Sequence, residues 1–245
     1  MLFFVVHQQN MKKQTMKTEF DNYTLIVQGP PPNGSLNQLL KILRHYSRLY
    51  SVIYTSTNIK LASTIKCQLP SVTCCVINDV GQNSGKFIKP LNINRFITGV
   101  QRSLKEVQTE RAIILRSDIC LNIRTLINLY EISGKRIGVS SITTKFFGIR
   151  KKWINHVCDW YYIGTTADLN LLIDCPKYPD KNEISSSSVY PISPERFLWE
   201  NFCKKINSFT DERYSGMINL LSLAHISHPE EVSLTCTKKE YAQTI

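Results

Sequence analysis

One stretch of this sequence constrains the fold more than any other: residues 112–121, which read AIILRSDICL. Four apolar residues are followed at once by Arg116, Ser117 and Asp118. A short, continuous apolar run with helix-like segments on both sides is typical of a strand that is buried on both faces of a parallel sheet. Open α/β sheets bind ligands at the carboxyl ends of their strands, so a charged triplet at this end indicates a binding site.

The residue types of the triplet suit a phosphate-bearing ligand that carries a divalent cation. An arginine such as Arg116 binds phosphate oxygens, and a carboxylate such as Asp118 binds Mg²⁺ or Mn²⁺. The alternative is that Asp118 caps a helix that spans about residues 119–131. This segment alone leaves both interpretations open.

Length and charge narrow the class of protein. The chain has 245 residues, 42% of them hydrophobic, which is enough for one large α/β domain. We expect a loose lead-in over residues 1–20 and one domain over residues 21–245. The net charge of +11 favours anionic partners. The basic residues are spread along the chain and form no nucleic-acid-binding motif, so we expect no nucleic acid partner.

The cysteines and the amino-terminal segment predict the compartment. None of the eight cysteines forms a C-x-x-C pair or stands at zinc-finger spacing from a histidine, which is typical of a reduced cytoplasmic compartment. The apolar run at residues 2–6 is shorter than the core of a signal peptide. Residues 1–20 are interpreted either as a frayed terminus or as a peripheral contact with the anionic inner face of the membrane.

The first half of the domain reads as strands and helices in alternation. Strands are predicted over residues 23–28, 51–55 and 72–77, and helices over residues 36–50 and 93–107. Gln28 ends the first strand, and its side-chain amide is available for hydrogen bonds to a base or a ribose. Gly29 and Pro30 follow, either as a close approach to a ligand or as a simple tight turn. Asp79 follows the third strand, and it either contacts a ribose or shapes a turn.

Asn94 and Arg95 open the helix predicted over residues 93–107. The helix dipole disfavours a cation in the first turn, so Arg95 hints at function. Together with the free N–H groups of that turn, its guanidinium would form a phosphate site.

The second half is predicted to contain a strand over residues 136–142 and another over residues 157–164. The latter carries Asp159, which either binds the acceptor as a general base or serves a structural role. The aromatic residues 160–162 beside it are interpreted as a wall on which a sugar stacks. Glu195 lies in the first turn of a helix predicted over residues 193–206, where capping competes with catalysis. His225 and His228 would extend a metal site, or they are structural.

Taken in order, these motifs resemble the WavE-type lipopolysaccharide-synthesis family of bacterial glycosyltransferases. The resemblance rests on VQGP, STN, D-x-G, NINR, LRSD, CDWYYIG and SPERF, which span about residues 25–202. It implies a GT-A-like fold, a nucleotide-sugar donor, a saccharide or glycolipid acceptor, and an acidic motif that binds Mg²⁺ or Mn²⁺. The residues that match the family's motifs are Gln28, Gly29, Pro30, Asn94, Arg95, Ser117, Asp118, Asp159 and Glu195.

The sequence departs from the family pattern at three places. The first motif has three prolines, Phe96 follows the N-R pair where glutamine is usual, and Val80 stands in the D-x-G motif where proline is expected. Arg116 agrees with the family's R-[ST]-D, but the usual D-x-D motif would have an acid at this position. Asp118 is therefore the one sure carboxylate for a metal.

The sequence thus predicts a mostly parallel, Rossmann-like central sheet with helices on both faces. Residues 21–135 would bind the donor: Gln28, Gly29, Pro30, Asp79, Asn94, Arg95, Arg116 and Ser117. Residues 136–245 would bind the acceptor, with Asp159 and Glu195 as catalytic groups. The predicted activity is glycosyl transfer in surface polysaccharide synthesis. The alternative is a non-catalytic module that keeps the fold and binds a nucleotide or a polyanion.

Overall fold

The structure is a computed structural model that describes residues 19–81, 92–140, 159–178, 194–208, 220–227, 230–233 and 235–236. The predictions for residues 1–18 and for His228 lie outside these ranges. Among the described helices, none combines the length and the apolar composition that crossing a bilayer requires.

Strands and helices alternate along most of the described chain. The strands are β1 Tyr23–Gln28, β2 Ser51–Ser56, β3 Val72–Val76, β4 Arg111–Arg116, β5 Ile119–Cys120, β6 Ile137–Ser140, β7 Tyr161–Thr165, β8 Ala224–Ser227 and β9 Thr235–Cys236. The helices are α1 Leu36–Tyr46, α2 Ile59–Gln68, α3 Ile93–Leu104, α4 Ile123–Ser133, α5 Thr166–Ile173 and α6 Pro194–Lys205.

Seven of the described strands form one sheet in the order β3-β2-β1-β4-β7-β6-β8. β1 pairs in parallel with β2 and β4, β2 pairs in parallel with β3, and β6 pairs in parallel with β8. β7 is antiparallel to both of its neighbours. The prediction of a mostly parallel α/β sheet is confirmed.

Helices cover both faces of the sheet because its central strands are apolar on both sides. Along β1, Leu25 and Val27 pack into one core with α1 and α4, whereas Ile26 packs into a second core with α3, α5 and α6. In β4, Ile113 and Ile114 divide between the two cores in the same way. A strand buried on both faces needs apolar side chains at successive positions, which explains the continuous run at residues 112–115.

The segment after β4 differs from the prediction. The strand ends at Arg116, and the short strand β5 then pairs with β9 before α4 begins. The side chain of Asn122 caps α4 by accepting a hydrogen bond from the Thr125 amide. Asp118 therefore does not cap this helix, and that interpretation of the triplet is wrong.

Other boundaries also differ. Helix α1 ends at Tyr46 and helix α3 at Leu104, both earlier than predicted. β7 begins at Tyr161, so Asp159 precedes the strand that was predicted to contain it.

Candidate functional site

The candidate site lies where the connections of the sheet change direction. From β1 the chain proceeds outward to β2 and β3 and then returns to place β4 on the other side of β1. Gln28 and Arg116 are the last residues of β1 and β4, and they are partners in the strand register. Such a switch point, at the carboxyl ends of parallel strands, is where open α/β sheets bind ligands.

The loops that leave β1 and β4 contact each other closely. The amide of Ser117 donates to the Gln28 carbonyl at 2.8 Å, and its hydroxyl donates to the Pro30 carbonyl at 2.6 Å. Gly29 has a φ of +122°, and a β-carbon there would lie 2.7 Å from the Ser117 hydroxyl oxygen. Only glycine fits this conformation and this contact, so the Gly29 motif has a local structural cause.

Arg116 pairs with two carboxylates at this edge. Its Nε and Nη2 donate to the two oxygens of Asp118 at 3.1 and 2.8 Å, and its Nη1 donates to Asp159 Oδ1 at 3.4 Å. The side chain of Asp118 is 9% exposed, that of Arg116 20% and that of Asp159 34%. Two carboxylates against one guanidinium leave this cluster with a formal charge of −1.

The direction of β7 brings Asp159 to the cluster. Because β7 runs antiparallel to β4, the residues that precede it lie at the carboxyl end of β4. The Arg116 amide donates to the Trp160 carbonyl at 3.2 Å, which fixes the approach of residue 159. The structure thus brings Asp159 to Arg116, which lies 43 positions earlier in the sequence and is followed directly by Ser117 and Asp118.

The aromatic residues after Asp159 do not form a wall for a sugar. Trp160, Tyr161 and Tyr162 are at most 1% exposed, and they divide between the two cores of the sheet. That interpretation is wrong because β7 is a central strand, which buries side chains on both faces.

Asp79 and Arg95 form a second charged pair. Arg95 Nε and Nη2 donate to the two oxygens of Asp79 at 2.5 and 2.6 Å, and Arg95 Nη1 donates to Asn92 at 2.9 Å. The Asp79 carboxylate also accepts from the Gly81 amide at 2.9 Å. These hydrogen bonds, above all those from Arg95, hold the pKa of Asp79 below its ordinary value. Asp79 therefore orders the turn after β3 and holds the Arg95 guanidinium.

Gln28 connects the two charged clusters. Its Nε2 donates to the Phe96 carbonyl at 3.0 Å and to the Arg95 carbonyl at 3.4 Å, in the first turn of α3. A β-carbon at Gly99 would lie 2.9 Å from the same nitrogen. Gln28 Oε1 is buried and has no hydrogen-bond partner among the described residues. The described contacts give Gln28 the role of anchoring α3, and its contact with a base or a ribose stays a prediction.

Asn94 and Glu195 lie near a third residue, Tyr178. The buried Asn94 amide donates to the Tyr178 carbonyl at 3.1 Å and accepts from the Tyr178 amide at 2.8 Å. Burial, with the nearby Glu195 carboxylate, raises the pKa of Tyr178 to about 12. Asn94 thus positions the segment that carries Tyr178. Donor binding by Asn94 and catalysis by Glu195 stay predictions.

The described carboxylates fit a cation that keeps water and ligand oxygens. Within the described ranges, no group of three or more His, Cys, Asp or Glu side chains is placed to hold a metal ion. Mg²⁺ is commonly held by one or two carboxylates together with water and substrate phosphates. Asp118 would supply one such carboxylate, and in the structure both of its oxygens accept hydrogen bonds from Arg116. His225 lies in β8, at the edge of the sheet, three strands from β4.

Two contacts of the site had no signal in the sequence. Tyr54 donates its hydroxyl hydrogen to the Gly29 carbonyl at 2.9 Å and so holds the loop after β1. The Phe96 carbonyl fixes Gln28. A backbone carbonyl leaves no trace in residue identity, and Tyr54 reads only as one more apolar residue of a buried strand.

Comparisons with known proteins give a likeness to solved structures alone. No family model matches the chain, and no curated protein matches it. Its structure is similar to HddC from Yersinia pseudotuberculosis complexed with GMP-PN, with a TM-score of 0.46, 9% identity, and coverage of 91% of this chain and 97% of that one. It is also similar to the inositol-1-phosphate CTP transferase from T. maritima, with a TM-score of 0.39, 12% identity, and coverage of 84% of each chain. Likenesses at this level assign no function to the chain.

Proposed function

We propose that this protein is a transferase that uses a nucleotide, and specifically a glycosyltransferase with a nucleotide-sugar donor. The observation that carries the proposal is the cluster of Arg116, Asp118 and Asp159 at the switch point between β1 and β4. It combines a phosphate-binding group, a carboxylate suited to a metal, and a second carboxylate that is more exposed. The sequence resemblance to the WavE-type family supports the same reaction and suggests a role in surface polysaccharide synthesis.

The leaving diphosphate sets the main chemical requirement of this reaction. Asp118 would hold Mg²⁺ or Mn²⁺, which neutralises the negative charge that develops on the leaving group. Arg116 and Arg95 would bind phosphate oxygens. In the structure both guanidiniums are paired with carboxylates, Arg116 with Asp118 and Asp159 and Arg95 with Asp79.

Asp159 would take the proton of the incoming hydroxyl group. Its side chain is 34% exposed, which leaves room for contact with an acceptor, and its bond to Arg116 fixes its direction. A general base must lie within hydrogen-bond reach of the proton that it removes. Glu195, in the first turn of α6, is the second proposed catalytic carboxylate.

The turn after β1 would hold the nucleoside part of the donor. Gly29 has no side chain, and the contacts of Ser117 with Gln28 and Pro30 keep the backbone of this turn in one conformation. A loop that already has its binding conformation loses less conformational entropy when the ligand binds, which favours binding. Asn94 would contribute through the segment that it positions.

The proposed acceptor is a saccharide or a glycolipid, with peripheral contact of the protein at an anionic membrane. The outer face of α1 and the turn after it support this contact, because Lys41 and Arg44 are exposed on the helix and Arg48 is exposed in the turn. Residues 36–50 contain no acidic residue. Leu49 is 61% exposed beside them. Basic and apolar side chains on one surface are typical of segments that bind anionic bilayers.

The release of nucleoside diphosphate from a panel of nucleotide sugars, with Mn²⁺ present, tests the proposed function. We expect release with one donor, a loss of about 10²–10⁴-fold in Asp159→Asn, and a large loss in Asp118→Asn. Arg136→Met is the control. Arg136 directly precedes β6 and pairs with Asp168 of α5, and neither residue belongs to the cluster. If no donor releases nucleoside diphosphate, the proposed transferase activity is overturned.

A non-catalytic module is the second candidate function. The observation in its favour is that the two described guanidiniums of the site are already paired with carboxylates. In that case the wild-type protein would bind a nucleotide without releasing diphosphate from any sugar donor.

A further inference from the structure

Arg116 holds two of the carboxylates that the proposed reaction uses, Asp118 and Asp159. Its three nitrogens contact Asp118 at two oxygens and Asp159 at one. The pair with Asp118 is shielded from water, since the two side chains are 20% and 9% exposed. A bidentate ion pair of this kind is stronger than an ion pair with a single contact at the surface. One guanidinium therefore occupies oxygens that a divalent cation would coordinate.

We propose that Arg116 is a placeholder for the divalent cation: it leaves Asp118 when the cation binds there, and it then binds the diphosphate of the donor. The inference rests on the proposed function and adds an order of events at the site. Before the cation binds, Arg116 offsets one of the two negative charges of Asp118 and Asp159. After the exchange, Asp118 holds the cation and Asp159 is free to accept a proton.

The formal charges support this exchange. Arg116, Asp118 and Asp159 together carry a formal charge of −1, which favours a cation over a diphosphate at these three side chains. A divalent cation changes the charge of the cluster from −1 to +1, and a diphosphate is then attracted. The same negative charge attracts the cation in the first place.

The backbone around Arg116 allows the exchange without a change of fold. Its own amide is bonded to the Trp160 carbonyl, and the Ser117 amide is bonded to the Gln28 carbonyl. These bonds fix the main chain at the end of β4. The exchange would therefore proceed by rotation of the long arginine side chain about a fixed main chain.

The affinity for Mn²⁺ alone, measured without nucleotide from the electron paramagnetic resonance of the free ion, tests the inference. If guanidinium and cation compete for Asp118, removal of the guanidinium strengthens cation binding by their coupling, which is about 5–150-fold in typical linked systems. We expect Arg116→Met to bind Mn²⁺ more tightly by a factor in this range. We expect a smaller increase in Mn²⁺ affinity in Arg116→Lys, because an ammonium keeps the charge but cannot bind both oxygens of a carboxylate as a guanidinium does.

Two controls make the result specific. Arg136→Met removes another arginine that is paired with an aspartate, and its affinity for Mn²⁺ should equal that of the wild type. Asp118→Ala should abolish the tight site in both the wild-type and the Arg116→Met backgrounds. With Mn²⁺ saturating, Arg116→Met should bind UDP, GDP or CDP, whichever the wild type binds, several-fold more weakly.

An affinity for Mn²⁺ that is unchanged or weaker in Arg116→Met would overturn the placeholder, as would the absence of Mn²⁺ binding in both proteins. Should Arg116→Met not fold, the Arg116→Lys affinity decides on the same terms. Nucleotide binding by the wild type is measured in the same series. Its presence together with an unchanged Mn²⁺ affinity rejects the placeholder and retains the proposed function.

Discussion

Ser117 lies so close to Gly29 that a β-carbon at position 29 would come within 2.7 Å of its hydroxyl oxygen. The two residues belong to loops that leave β1 and β4, and the Ser117 hydroxyl is bonded to the neighbouring Pro30 carbonyl. Gly29 also has a φ of +122°, which other residues rarely adopt. The first turn of the candidate site therefore depends on this contact.

We predict that Gly29→Ala destabilises the protein by about 1–3 kcal/mol, because it combines backbone strain with a steric clash. Gly34→Ala is the control, since Gly34 also has a positive φ but has open space around it. Chemical denaturation of both variants measures the difference. The double variant Gly29→Ala/Ser117→Ala should recover part of the loss, and a loss no larger than that of Gly34→Ala would contradict the contact.

The pair of Asp79 and Arg95 predicts opposite effects of its two partners on anion binding. Asp79→Asn removes the charge that engages the Arg95 guanidinium, so we expect nucleotide affinity to stay equal or to rise. Arg95→Met should lower the affinity several-fold. Calorimetric titration with the nucleotide measures both. Equal losses in the two variants would show that the pair acts as a structural unit.

His225 predicts a pH dependence of stability that is unrelated to the site. Burial lowers the pKa of His225 below its ordinary 6.5, so the unfolded chain binds the proton more readily than the folded chain. Stability is therefore expected to fall as the pH drops below about 6.5, down to the folded pKa. Thermal unfolding of the wild type and of His225→Gln between pH 8 and pH 5 checks this. The variant should lose less stability over that range.

The outer face of α1 predicts binding to anionic vesicles. Cosedimentation with phosphatidylcholine vesicles that contain phosphatidylglycerol should exceed that with phosphatidylcholine alone. Arg44→Glu/Arg48→Glu should weaken it by roughly tenfold or more. Lys105→Glu/Lys204→Glu changes the net charge equally and alters two exposed lysines, one directly after α3 and one on α6. These helices cover the other face of the sheet. Equal losses in the two double variants would contradict a specific surface.

Sequence patterns were sufficient for the elements that local chemistry determines. The apolar runs that became β1 and β4 are continuous because each strand is buried on both faces, and the charged residues at the end of β4 mark the carboxyl edge of the sheet. The proximity of Gln28 and Arg116 follows from parallel strands that end together. The helices on both faces of the sheet could also be predicted, because a strand that is apolar on both sides must be covered on both sides.

Other features depend on long-range pairing and could not be predicted. The apolar run after Asp159 reads the same in a parallel and in an antiparallel strand, so the direction of β7 had no local signal. Because β7 is central in the sheet, it buries the aromatic residues 160–162, which the sequence predicted to stack against a sugar. The pairing of β5 with β9 separates Asp118 from α4, and the Asn94 contact with Tyr178 joins residues 84 positions apart.

Thermal unfolding in the presence of UDP, GDP, CDP or CMP, each with and without Mn²⁺, tests the central claim most directly. The claim is that a nucleotide binds with a metal at the cluster of Arg116, Asp118 and Asp159. A ligand at 100 times its Kd adds about 2.7 kcal/mol to the free energy of unfolding. We predict a metal-dependent increase with one nucleotide that is lost in Asp118→Ala and retained in Arg136→Met. No increase with any nucleotide, or an increase that Asp118→Ala retains, would contradict the account.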